Sequence, residues 1–268
     1  MGTKIESAAT LAARFGRRAK RITNLGEEAQ KLRRNRRITA GSYDAIFESS
    51  HLSLVTSFEV FVEELFFSSL LGRSGIDAVC PRLAFNSRGD AERVVRGERG
   101  YVGWLPFEKK VLKTSEVYFS SSPFERLNRH SAEFRALNEI TVVRNRIAHD
   151  SASARAVFDP LASHLRARNR TPAGLLQERR QGVTSLERYS LELQKISLAL
   201  SATTIREAKA LLSPESPHQR GSKPGVGIYE CTRCGTPERI GPRKNTLPSC
   251  RTCMKLGTTS KATWRPRY

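Results

Sequence analysis

Residues 137–150 read LNEITVVRNRIAHD and set an arginine, an asparagine and a histidine on the end of one apolar helix. At 100° per residue, Leu137, Ile140, Val143, Ile147 and Ala148 share one arc, and Arg144 falls inside it. A guanidinium cannot shed its charge on an apolar face, so it needs an anion, a carboxylate or a water-filled cleft there. Beside the arc runs a polar strip of Asn138, Asn145 and His149. An always-charged cation, an amide and a side chain that titrates near neutral pH are the parts needed to cleave RNA without a metal. His149 would serve as general acid or base at the 2′-hydroxyl or the leaving 5′-oxygen. Arg144 would stabilise charge on the pentacovalent phosphate, and Asn145 would orient either one. The same spacing also arises with no chemistry, Arg144 then pairing with a core glutamate such as Glu63 or Glu64.

A second constellation lies near the C-terminus. Cys231 and Cys234 form CTRC, Cys250 and Cys253 form CRTC, and fifteen residues separate the pairs. Two such pairs make a tetrahedral four-thiolate site for zinc. Four cysteines close the coordination sphere, so the zinc would be structural, and no catalytic metal is expected. A disulfide pair or a redox motif is the alternative; neither suits an intracellular chain without a βαβ context. The module is too small to fold on its own apolar content, so metal binding would supply its stability. Cys80, before Pro81, reads as a small apolar filler.

The elements that must position these groups are helical. Apolar spacing of three and four runs from Ile5 to Leu32, with a kink or break at Asn24 and Gly26. Ser42 is the expected N-cap of a second helix over 43–71, which carries Phe47, Leu54, Phe58, Phe61 and Phe66. Residues 72–106 read as a long irregular connection with one short helix near 90–96. Helices follow over 106–119, 124–149, 151–168 and 185–212, the last with Leu186, Tyr189, Leu193, Ile196 and Leu200 as its stripe; TPAG at 171–174 is a turn. The expected fold is all-α, a helical bundle with a small C-terminal zinc module. Its divisions are a basic N-terminal helical segment (1–40), a helical domain (41–212), a Pro- and Gly-rich linker (213–227), the cysteine module (228–256) and a basic tail (257–268).

Charge is concentrated at the two ends. The 268 residues carry a net +20, of which 1–40 contribute +8 and 218–268 contribute +9. Each cation that meets a phosphate releases a condensed counterion, so such ends favour nucleic acid; a solvated Arg-rich surface is the bland alternative. There is no apolar run long enough to span a membrane and no secretory signal pattern, so a cytoplasmic protein is expected.

Two resemblances sharpen these expectations. YECTRCGTPERIGPRKNTLPSCRTC resembles a zinc ribbon, a module that presents basic loops to nucleic acid or to a partner protein; Arg239, Arg243, Lys244 and Arg251 are its basic residues here. The run Arg-Asn-x-Ile-Ala-His, ending a hydrophobic helix and followed by Asp-Ser, closely resembles the motif of the HEPN superfamily of helical ribonucleases. YFSSSPFERL and the aromatic helix at 43–71 also look like that family, over most of 40–210. The resemblance implies a helical bundle that dimerises and places two Arg…His motifs across one cleft. It also implies metal-independent cleavage of single-stranded RNA to 2′,3′-cyclic phosphate ends, in toxins, phage defence or RNA processing. Arg144 and His149 carry over as the catalytic pair and Asn145 as the residue after the Arg, with Glu59 and Glu63 as candidate supporting acids. An inhibitory or targeting protein partner fits the same picture. The competing functions are a non-catalytic RNA-binding or adaptor protein and, on charge alone, a DNA-binding regulator.

Overall fold

The computed structural model describes residues 6–97, 100–129, 131–165, 167, 169–180, 182–212, 218–219, 227–231, 236–240, 248–250 and 263–267. The chain divides into two compact units, Met1–Leu212 and Ser213–Tyr268. The protein is mostly helical, and all its long helices belong to the first unit.

Helices α1 (Ala8–Arg34) and α2 (Ala40–Leu70) form the spine of that unit. Ser7 caps α1 by accepting the Thr10 N–H, and Leu11, Phe15, Ala19, Ile22 and Ala29 are buried along one side. The basic N-terminal segment is therefore not a separate arm: its apolar stripe is part of the core. The expected break at Asn24 and Gly26 does not occur, since α1 runs through both, and Gly26 is a packing residue. A Cβ there would lie 3.4 Å from Leu186 Cδ2 and 3.7 Å from Phe47 Cζ. The cap of α2 is Thr39 rather than Ser42; Thr39 Oγ1 accepts the Ser42 N–H at 3.1 Å.

The connection after α2 is more ordered than its composition suggests. It contains the two-residue strand β1 (Cys80–Pro81) and helix α3 (Arg88–Arg96), capped by Ser87. Arg88 makes a bidentate pair with Glu64 and Arg96 pairs with Glu63, all at 2.6 Å, so α3 is stitched to α2 by charge rather than by an apolar stripe. Cys80 is exposed and is no core filler. A π-helical turn at Glu108–Leu112 leads into α4 (Lys113–Tyr118). Strand β2 (Phe119–Ser121) then pairs antiparallel with β1, and a 3-10 turn spans Pro123–Arg126.

Helix α5 (Ala132–Ala148), capped by Ser131, starts eight residues later than the sequence pattern implies, because the 3-10 turn takes up Pro123 and Phe124. Next come α6 (Ala152–His164) and α7 (Pro172–Gln177); the TPAG segment is the start of α7, with Thr171 as its cap. A short hairpin of β3 (Arg179–Arg180) and β4 (Val183–Thr184) precedes α8 (Ser185–Ser201) and α9 (Ile205–Leu211). The last helical run is split at 202–204 since Thr204 opens a second capping box with Glu207, as Thr184 does with Glu187. Leu186, Tyr189, Leu193, Ile196 and Leu200 are all buried, as their spacing requires.

The second unit is a four-stranded antiparallel sheet. Strands β5 (His218–Gln219), β6 (Gly227–Cys231), β7 (Pro237–Ile240) and β8 (Thr263–Arg267) lie in the order β5-β8-β6-β7. The TWRPR run is thus an inner strand and not a loose basic tail, and His218–Gln219, in the expected linker, pairs with it. Tyr229, Cys250 and Trp264 are buried. Among the described residues, no helix is long and apolar enough to cross a membrane.

Candidate functional site

The RNRIAH segment is the end of α5. Leu137, Ile140 and Val143 are buried, Ile147 is half-buried, and Ala148 is exposed. The helix stops at His149, whose φ of −137° and ψ of 114° are extended. Its N–H still reaches back to the Asn145 carbonyl at 2.9 Å, and Ser151 at once caps α6. His149 therefore stands exposed at a helix–helix corner. It does not continue the strip of Asn138 and Asn145 as a regular helix would place it.

Arg144 lies on the inward arc, as its position demands, but is only half-buried. Its Nη1 donates to Asn145 Oδ1 at 3.2 Å. Asn145 thus touches both other members of the motif, the side chain holding Arg144 and the carbonyl holding the His149 backbone. The glutamates that could have neutralised Arg144 are committed elsewhere. Glu63 belongs to Arg96 and Glu64 to Arg88, and both guanidiniums also sit over the Phe67 ring. Among the described residues, Arg144 has no carboxylate within ion-pair distance.

The acid that faces Arg144 is Glu59 on α2. Burial pushes the Glu59 carboxyl up from the usual carboxylate range, and the neighbouring Glu63 adds to that. The Arg144 charge and the Trp104 backbone N–H pull the other way. Glu59 of α2, Arg144 of α5 and the Trp104 backbone thus meet in a polar seam. Val60, next to Glu59 in the sequence, is exposed. The corner itself carries a second charge set: Asp150 accepts from Arg155 at 2.7 Å and from Arg146 at 2.9 Å, and these guanidiniums, Arg155 first, hold its carboxyl below the usual range. The Arg146–Asp150 spacing of four is visible in the sequence; the turn that adds Arg155 is not.

His51 is buried in the core between α2 and α5. His164 ends α6, His218 is placed by its strand, and His130 lies outside the described residues. A cavity of about 650 Å³ opens elsewhere in the first unit, between Val79, Leu112, Leu127, Arg126 and Ile205, and includes no residue of the motif. Of its guanidiniums, Arg126 is occupied by the carbonyls of Ala202 and Thr203, and Arg129 pairs with Glu108 and Glu116.

Of the cysteine set, Cys250 is buried and Cys231 is placed by strand β6, while Cys234 and Cys253 lie outside the described residues. Cys231 pairs in register with Trp264, and the Trp264 indole N–H donates to the Pro248 carbonyl at 2.9 Å, two residues from Cys250. A buried thiol beside a sheet of this size suits a thiolate–metal site.

Comparison with family models, with curated proteins and with solved structures gives no match to this chain.

Proposed function

We propose that the first unit is a metal-independent endoribonuclease for single-stranded RNA, acting through Arg144, Asn145 and His149 at a cleft shared by two copies of the chain. The observation that carries this reading is a half-buried Arg144 with no carboxylate at ion-pair distance among the described residues, beside an exposed His149 at the end of one helix, while Glu63 and Glu64 are bound by other arginines. A guanidinium in that position retains its attraction for a phosphate.

The chemistry follows from the residue types. One His149 takes the proton of the ribose 2′-hydroxyl, and the 2′-oxygen attacks the adjacent phosphorus. The bond to the 5′-oxygen breaks, and the His149 of the second copy returns a proton to that oxygen. The products are a 2′,3′-cyclic phosphate and a 5′-hydroxyl. Arg144 offsets the charge that builds on the phosphoryl oxygens, and Asn145 limits how far the guanidinium can swing. General acid–base help of this kind accelerates a reaction by about 10²–10⁴-fold.

Exposed Val60, next to Glu59 on α2, supports pairing of two copies there. The second unit would hold one structural zinc through Cys231, Cys234, Cys250 and Cys253, and would recruit RNA or a protein partner. The assay is cleavage of end-labelled single-stranded RNA in EDTA by the full chain and by Arg144→Ala and His149→Ala. Cleavage by wild type only, leaving cyclic phosphate ends, supports the enzyme. RNA binding without cleavage by any of the three leaves the non-catalytic adaptor.

A further inference from the structure

The corner between α1 and α2 carries Lys31, Arg33, Arg34, Arg36 and Arg37, all exposed. The chain turns there within five residues, with Arg36 in the left-handed region at φ 55°. The hairpin of β3 and β4, more than 140 residues later in the sequence, delivers exposed Arg179 to the same place, with exposed Arg180 next to it in the chain. Two observations establish the convergence. Arg179 Nη2 donates to Gln30 Oε1 at 2.6 Å, and the Tyr43 phenol feels the charges of Arg179, Arg34 and Arg33 together.

We infer that this composite surface of Arg33, Arg34, Arg36, Arg37, Arg179 and Arg180 around Tyr43 is a docking site for the phosphodiester backbone of a single-stranded nucleic acid.

Cations in the last turn of a helix complement its dipole, and that accounts for Lys31, Arg33 and Arg34. It does not account for Arg36 and Arg37, beyond the helix, or for a hairpin that brings two more cations to them. Nor are the charges neutralised from within. Among the described residues none of the six makes an ion pair, and Asp44 and Glu178 are the nearby carboxylates, with Asp44 held by Gln177. Six guanidiniums on two converging elements, with a phenol ring among them, match a backbone on which bases can stack. An acidic protein is the weaker fit: the patch has Val183 as its exposed aliphatic side chain and no apolar centre for a protein interface.

The patch also lies toward the motif. Gln177 bonds Asp44, and Glu48, one turn further along α2, feels both Asp44 and Arg146. The inference shares only the class of partner with the reading above; a protein that binds here and cuts nothing would leave it intact.

The test measures binding of the full chain, in a His149→Ala background so that RNA survives, to oligo(U) and oligo(dT) of equal length. The patch variant is Arg34→Ala, Arg36→Ala, Arg37→Ala and Arg180→Ala, four side chains whose removal costs no hydrogen bond seen in the structure. A second variant, Arg179→Ala with Arg180→Ala, removes the hairpin cations alone. The control of equal charge loss is Arg17→Ala, Arg18→Ala, Lys20→Ala and Arg21→Ala, from the middle of α1, where the exposed cations come from one helix. Each lost phosphate contact flattens log K against log salt by about 0.7 for a single strand, so the patch variant should lose about 3 in slope and the hairpin variant about 1.4. The control should keep the wild-type slope. Loss with both oligonucleotides supports a backbone site, and loss with oligo(U) alone supports a site restricted to RNA. Equal loss in patch and control, or no loss in the patch variant, overturns the inference. So does polyglutamate binding that depends on the patch as strongly as oligo(U) binding does.

Discussion

His51 Nε2 lies 3.2 Å from the carbonyl oxygen of Ile140, a contact between α2 and α5 made wholly inside the bundle. A carbonyl can only accept, so Nε2 carries a proton. Its Nδ1 has no partner among the described residues. Burial lowers the imidazole from 6.5 to about 4, partly opposed by the Ile140 carbonyl. The unfolded chain therefore binds a proton that the folded one refuses between those values. The stabilising effect of a neutral His51 is complete above about pH 6.5 and is lost as pH falls toward 4. That depression corresponds to roughly 3 kcal/mol. Thermal unfolding between pH 4 and 7 should show a weaker pH dependence in His51→Gln than in wild type. Identical slopes would mean the ring is not buried as a neutral group.

Glycines at 26 and 174 should respond to alanine in opposite directions. At Gly26 a methyl group meets Leu186 and Phe47 at ordinary contact distances, and the helix gains from losing a glycine. Gly26→Ala should stabilise by about 0.5–1 kcal/mol, whereas Gly26→Leu should overpack the α1–α8 contact and cost about 1–3 kcal/mol. At Gly174 the methyl would lie 2.6 Å from Asn169 Cβ and 3.0 Å from its carbonyl oxygen, so Gly174→Ala should lower the melting temperature. Urea unfolding of the three variants decides both points.

Glu59 offers a separation of stability from activity. Its carboxyl is raised by burial first, so the ionised form costs stability at neutral pH. Glu59→Gln should therefore be at least as stable as wild type at pH 7, with the gain shrinking as pH falls through the carboxylate range and Glu59 itself becomes neutral. If Glu59 positions Arg144, RNA cleavage should nevertheless fall by about tenfold, about 1.4 kcal/mol of transition-state stabilisation. Unchanged cleavage with raised stability would make Glu59 a spectator.

Zinc content gives the check on the second unit. The purified chain should carry one zinc per protomer by elemental analysis, and Cys250→Ser or Cys231→Ser should lose it. Because the units are separate, the main unfolding transition of the first should move by less than about 1 kcal/mol. Zinc retained by both variants would argue against the four-thiolate site.

A shared cleft requires two copies. Sedimentation at low micromolar concentration should give twice the 30.0 kDa chain mass, and a charged residue introduced as Val60→Asp should shift it toward the monomer. A fully active monomer would remove the shared site while leaving the Arg–His chemistry in place.

Periodicity alone determined that this chain is mostly helical, where α2 runs and where α8 begins, and that Arg144 must lie on an inward arc, because those properties depend on neighbours three and four residues apart. Local spacing likewise marked Cys231, Cys234, Cys250 and Cys253 as one set. Tertiary structure decided what is paired with what. It assigned Glu63 and Glu64 to Arg96 and Arg88, left Glu59 facing Arg144, and turned Gly26 from an expected break into a point of close helix packing. It also made an inner strand of the C-terminal TWRPR run and carried Arg179 and Arg180 to the end of α1. Such pairings join residues tens to hundreds of positions apart, and no pattern within one segment encodes which distant surface will fold against it.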